Sequence, residues 1–184
     1  HLKNANSSTL RIISTSYYQN YYFDEPRITL TDVLTNKLST IADAQVSTEN
    51  STAGTSIVLQ QNEEHALLLT CAHVVTSRDT TITYYQGENM LEKKYIKSVR
   101  IKKDQNDIGF DKQKVNQFSI IASDRFTDLA LLKIKADQTD FSKLPISFPM
   151  GNSDHLKNGS FLYILGYPKG YPMVTRGIVS QFDN

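Results

Sequence analysis

The 184-residue sequence holds one cysteine, Cys71, so no disulfide can form within the chain and the fold must stand on packing alone. No apolar run approaches the length of a membrane span, and the first residues carry no signal-peptide pattern. Charge of one sign is also lacking: the formal net charge of +1 gives no electrostatic case for nucleic acid, which asks for a basic face. The densest basic run, KKYIKSVRIKK from Lys93 to Lys103, alternates with Ile96, Val99 and Ile101 and reads as a solvated strand face rather than a phosphate-binding patch. There is no internal repeat and no low-complexity tract. What is present, 39% hydrophobic and 21% charged residues, is an ordinary globular composition for one large domain or two small ones.

Residues 1–27 are polar apart from an aromatic cluster of Tyr17, Tyr18, Tyr21, Tyr22 and Phe23. They read as an arm that docks on the body of the protein or on a second copy of the chain. The stretch TLTDVLTNKLSTIAD, residues 29–43, sets Leu30, Val33, Leu34, Leu38 and Ile41 at helical spacing and predicts one amphipathic helix with all five packed. Thr29 or Thr31 could cap it, with Asp32 favourable in its first turn. Strand patterns follow at 54–60, 65–70, 80–86, 94–102, 117–123, 129–135, 160–167 and 174–181, separated by turn-like clusters such as QNEE, SRD, QGEN, KKDQNDIG and GNSD. Many short strands without helices after residue 45 indicate an all-β barrel or sandwich. The stretch KLPISFPMGNSD, residues 143–154, reads as a linker between two units.

Two segments could carry chemistry. In LLLTCAHVV, residues 67–75, His73 sits where an apolar run breaks off. A lone histidine ending a buried strand is most often a structural residue. In DRFTDLALLKI, residues 124–134, Asp128 opens an apolar strand, where a carboxylate is costly without a partner. A turn cap would satisfy it, and so would an imidazole N–H, the partner used when an Asp fixes the tautomer of a general base.

Together, TCAHVV and DRFTDLALLKI resemble the His and Asp segments of chymotrypsin-like serine proteases, particularly the bacterial HtrA/Deg branch. FPMGNSDHLKNGSFLYILGYPKG is similar to that branch's Gly-x-Ser-Asp turn followed by a strand ending in Gly-x-Pro. VTRGIVS, residues 174–180, resembles the strand after it, and GTSIVL the segment before the His strand. The likeness covers roughly residues 52–182. It implies an all-β, chymotrypsin-like double β-barrel with one N-terminal amphipathic helix: an arm and helix over 1–45, a first barrel over 46–142, and a linker with the beginning of a second barrel over 143–184. It implies His73 as catalytic base and Asp128 as the residue that orients it. The separation of the two is long for that branch, with the excess assigned to the QGENMLEKK and KKDQNDIGFDK loops. The disulfide that stands beside the His in animal trypsins is absent, which favours the bacterial branch.

The nucleophile is missing. Gly151-Asn152-Ser153 imitates the first half of the usual serine motif, but Asp154 would set a negative charge beside a developing oxyanion. Ser160 and Ser180 lie on strand patterns without the glycines. Cys71, two residues from His73, reads as a small buried hydrophobe whose thiol does not meet the ring in attack geometry. The serine is therefore expected beyond residue 184, and this chain alone is expected to be inactive. The resemblance implies a serine endopeptidase acting on proteins or peptides, outside the cytoplasm (periplasmic or secreted), with neither metal nor organic cofactor; the charge balance implies no nucleic acid partner, and the aromatic arm is a candidate surface for self-association. The alternative is an inactive pseudoprotease whose barrel serves as a peptide- or protein-binding module.

Overall fold

The computed structural model describes residues 7–86, 94–111, 114–135, 143–147, 149 and 151–180. Nine strands are present among them: β1 (Thr9–Tyr22), β2 (Ala44–Gln61), β3 (His65–Cys71), β4 (Thr80–Tyr84), β5 (Ile96–Asp111), β6 (Lys114–Asp124), β7 (Leu129–Lys135), β8 (Phe161–Gly166) and β9 (Met173–Ile178). The first seven form one sheet in the order β1-β2-β3-β7-β6-β5-β4, and β1 pairs with β5 as well. Six strands thus close into a barrel, which removes their free edges, and β4 extends β5 outside the closure. β8 and β9 make a separate antiparallel pair.

The chain divides into two compact units, one of His1–Ser14, Thr52–Thr76 and Asp107–Asn184, the other of Thr15–Ser51 and Ser77–Asn106. The core of the first gathers Leu10, Ile12, Val58, Ala66, Leu68, Phe118, Ala130, Leu132 and Ile134 with Ala72, Val74 and Val75. Strand alternation produces it: Ala66, Leu68 and Thr70 of β3 face inward, directly opposite Ile134, Leu132 and Ala130 of β7. The buried hydroxyl of Thr70 is satisfied by donating to the Thr55 carbonyl at 2.8 Å. The second unit buries Tyr21, Phe23, Ile96 and Val99. In the basic run strict alternation fails: Ile96 and Val99, three residues apart, are both inside because the register with β4 shifts between their rungs, while Arg100 lies over the Tyr18 ring at 3.6 Å.

Three local expectations are corrected. The segment 29–43 forms two short turns, α1 (Leu30–Thr35) and α2 (Leu38–Ile41), instead of one helix. Thr29 and Asp32 build a full capping box at the start. The segment is then rich in Thr, Asn and Ser, whose side chains compete for backbone carbonyls: Thr35 bonds Thr31 O, and Asn36 bonds Asp32 O. Val33, Leu38 and Ile41 pack on the second unit's core, whereas Leu30 is 45% and Leu34 77% exposed. Thr9–Tyr22, read as part of an arm, is the 14-residue strand β1. KKDQNDIG, read as a turn, lies inside β5, where its charges find partners: Lys102 Nζ is 2.7 Å from Asp79, and Asp107 accepts from Ser14 Oγ at 2.5 Å. Most of the QGENMLEKK loop lies outside the described residues.

Candidate active site

The antiparallel ladder between β3 and β7 runs from His65↔Lys135 to Cys71↔Leu129. Beyond its last rung the Ala72 N–H donates to the Asp128 carbonyl at 3.0 Å, so β3 and β7 are still held together where each leaves the sheet. β3 passes directly into a single helical turn, α3 (Ala72–Val75). Ala72, Val74 and Val75 are buried, which leaves His73 as the one residue of the turn facing out, its side chain 66% exposed. Thr76 closes the turn by donating from both its N–H and its hydroxyl to the Ala72 carbonyl.

On the other side, residues 125–128 turn the chain from β6 into β7. Asp124 shapes this turn, accepting from the Phe126 N–H at 2.8 Å and the Thr127 hydroxyl at 2.9 Å. Those two bonds, the backbone one first, hold its carboxyl below the ordinary carboxylate range. Asp128 has φ +55°, a left-handed conformation in which Asp is better tolerated than most residues. It is the only non-glycine in that region among the described residues.

The two side chains meet. Asp128 Oδ1 accepts the His73 backbone N–H at 2.8 Å, and Oδ2 stands 2.6 Å from His73 Nδ1. The His73 N–H is the largest influence holding the Asp128 carboxyl below its ordinary range, followed by the ring bond and the charge of the imidazole. An ionised carboxylate can only accept, so Nδ1 must be the ring nitrogen that carries hydrogen. In the neutral ring Nε2 is then left with its lone pair, and the ring is largely open to solvent.

Cys71 departs from expectation: it is exposed, because alternation along β3 turns it outward after the buried Thr70. Its thiol is pushed up, by desolvation first and then by the Asp128 charge, which disfavours a reactive thiolate. Ser153 opens a short 3-10 turn, Ser153–His155, in which the Asn152 side chain accepts the Asp154 N–H at 3.0 Å. Ser160 Oγ accepts the Lys157 N–H at 3.0 Å within another turn.

Residues 54–184 match the trypsin-like peptidase domain. The chain belongs to that family. Over 62 residues it is 48% identical to the "Probable periplasmic serine endoprotease DegP-like" of Marinomonas sp. (strain MWYL1), a stretch that is 33% of this chain and 12% of that protein. Its fold resembles the crystal structure of the active form of the Rv3671c protease from M. tuberculosis, at a TM-score of 0.50 and 15% identity, over 96% of this chain and 49% of that one. The peptidase-family chain thus spans about half the length of the structural relative and a smaller part of the sequence relative. The mostly-β barrel is that of the chymotrypsin-like fold.

Two contributors to the geometry were not legible as site residues. Asp124 carries the turn that presents Asp128, and the alternation of Asp and Thr in DRFTD is the signal for such a turn. Gly54 lies so close to Val74 that a Cβ there would stand 2.7 Å from both of its methyl carbons. GTSIVL gives no local sign of this contact, which joins residues from β2 and α3.

Proposed function

We propose that this chain carries the base half of a serine endopeptidase site, with His73 as general base and acid and Asp128 as the residue that orients it. One observation carries the reading: Asp128 grips both the His73 ring at Nδ1 (2.6 Å) and its backbone N–H (2.8 Å), which points the hydrogen to Nδ1 and leaves Nε2 as the ring's other nitrogen. In such a site Nε2 takes the proton of a serine hydroxyl as its oxygen attacks the substrate carbonyl. The imidazolium formed is stabilised through Nδ1–H by the Asp128 carboxylate, and Nε2 then gives its proton to the leaving amine. The substrate class is protein or peptide, and membership of the peptidase family supports it.

The nucleophile is assigned to a serine beyond residue 184. Ser153 is held in a turn with Asp154 beside it, and the raised thiol of Cys71 argues against cysteine catalysis. An extracytoplasmic setting goes with the assignment, supported by the DegP-like relative described as periplasmic. A longer gene product carrying that serine is expected to be labelled by a fluorophosphonate probe. His73→Ala is expected to abolish the labelling, since loss of the base in such sites removes on the order of a million-fold in kcat. Absence of labelling in the unmutated longer protein would replace this reading with that of a peptide-binding pseudoprotease.

A further inference from the structure

The mechanism leaves one group at the site unused. Cys71 ends β3 two residues before His73 and, in the ladder, opposite Leu129, the neighbour of Asp128. The two strand ends therefore bring three different donors to one place: a thiol, an imidazole and a carboxylate, with one ligand atom from each lying within 4.8 Å of the others. All three are reached from solvent, Cys71 and His73 being exposed and the Asp128 side chain 44% exposed.

We propose that Cys71, His73 and Asp128 bind a thiophilic divalent cation of the zinc class, and that the cation blocks the dyad reversibly. Bonds of about 2.3 Å to sulfur and about 2.0–2.2 Å to nitrogen and oxygen put tetrahedral zinc ligands roughly 3.3–3.7 Å from one another. The three groups are within about an ångström of that spacing. Cys71 makes no side-chain capping bond to α3 and its thiol already bonds the Asp128 carboxylate, so side-chain rotation is the adjustment the site calls for. Three protein ligands leave the fourth position for water, and the exposure of the site supplies it. The sulfur and imidazole donors select zinc over magnesium or calcium, which prefer oxygen cages.

Binding is an exchange of protons for metal. The Cys71 thiol proton goes to solvent as the Sγ–metal bond forms. Where Nδ1 becomes the ligand, the ring proton moves from Nδ1 to Nε2, and Nε2 is no longer a base. The Asp128 carboxylate turns from the ring to the cation. The blocking role rests on the endopeptidase reading, whereas the binding does not.

The test is a titration of the protein with Co2+ followed by optical absorption, and with Zn2+ followed by calorimetry. One equivalent is expected to bind, with a thiolate-to-cobalt charge-transfer band in the near ultraviolet that Zn2+ removes. Cys71→Ser is expected to abolish the band and weaken Zn2+ at least tenfold, with circular dichroism verifying its fold. His73→Gln is expected to weaken Zn2+ by a similar factor, and His155→Ala to leave it unchanged. Absence of the thiolate band, or equal Zn2+ affinity in the protein and Cys71→Ser, would overturn the site. In the longer, probe-reactive protein, Zn2+ is expected to suppress fluorophosphonate labelling and Cys71→Ser to restore it; suppression unaffected by Cys71→Ser would overturn the blocking role. Metal binding without any labelling of the metal-free protein would remove the endopeptidase reading and leave the cation site standing.

Discussion

Gly54→Ala tests whether the histidine turn is held from behind. The new Cβ would lie 2.7 Å from Val74 Cγ1 and from Cγ2, and 3.2 Å from Val74 Cβ. Ordinary carbon contacts fall at about 3.5–4.0 Å, so roughly 1 Å of overlap must be relieved. Gly54 does not have a left-handed φ, so the backbone accepts alanine and the cost is steric. Val74 is 6% exposed and sits in the buried cluster with Ala72 and Val75, at 0% and 1%, so its methyl groups have little room to give way. Overpacking of this kind costs about 1–3 kcal/mol. With a urea dependence of about 2 kcal/mol per molar, the unfolding midpoint should fall by roughly 0.5–1.5 M. The relief route is displacement of α3, which stretches the 2.8 Å bond from the His73 N–H to Asp128. The His73 Nδ1–H proton resonance should therefore move upfield in Gly54→Ala. Val74→Ala in the same chain should restore it, and the double-mutant cycle should show a coupling of about 1 kcal/mol or more. An additive cycle with an unshifted ring proton would refute the contact.

The Asp128 carboxyl should titrate below the ordinary aspartate range in a carbon-detected NMR experiment, because the His73 N–H and ring bonds favour its charged form. With the folded value depressed, its contribution to stability is full above the ordinary range of about 3.9 and is lost as pH falls through the lower folded value. His73→Ala should raise the midpoint only partway, since the backbone N–H, the larger influence, survives the change; a midpoint at the ordinary value in the unmutated protein would contradict the geometry. Leu68→Ala, at a residue 0% exposed and opposite the equally buried Leu132, should cost about 2–5 kcal/mol in chemical denaturation. Phe126→Ala, 98% exposed in the turn beside the site, should change stability by no more than about 0.5 kcal/mol.

Strands whose inward positions are mostly aliphatic were legible from the sequence. LALLKIK was read as 129–135, which is the extent of β7, and HALLLT fell one residue short of β3. β1 was hidden because its inner face is only partly apolar: Leu10 and Ile12 are followed at the same spacing by buried Ser14 and Ser16, and later by Tyr18 and Asn20. Those small polar residues are satisfied by distant partners, Ser14 by Asp107 and Asn20 by Val46 O and Thr48. No local pattern announces such bonds. The split of the 29–43 helix was hidden for the opposite reason, since its apolar spacing is regular while its Thr and Asn residues favour capping. At the site, the pairing of His73 with Asp128 was legible in TCAHVV and DRFTDLALLKI and in their order along the chain. The outward orientation of Cys71 was available from strict alternation along HALLLTC, but the sequence context of a buried apolar run outweighed it.

The dyad is best understood as the continuation of a strand ladder. From His65↔Lys135 to Cys71↔Leu129 every rung is fixed by the inward side chains, because a slip of one residue would turn Leu68 and Leu132 out of the core. The next rung is the Ala72 N–H to the Asp128 carbonyl, and the one after it is made by a side chain, the Asp128 carboxylate accepting the His73 N–H. Only there do the strands part, one into α3 with its buried valines, the other into the DRFTD turn through the left-handed backbone of Asp128. The imidazole and carboxylate are thus placed by core packing several residues away, and neither depends on a long loop for its position. A site built this way keeps its imidazole and carboxylate in contact on its own, because the interactions that align them are those that hold the sheet.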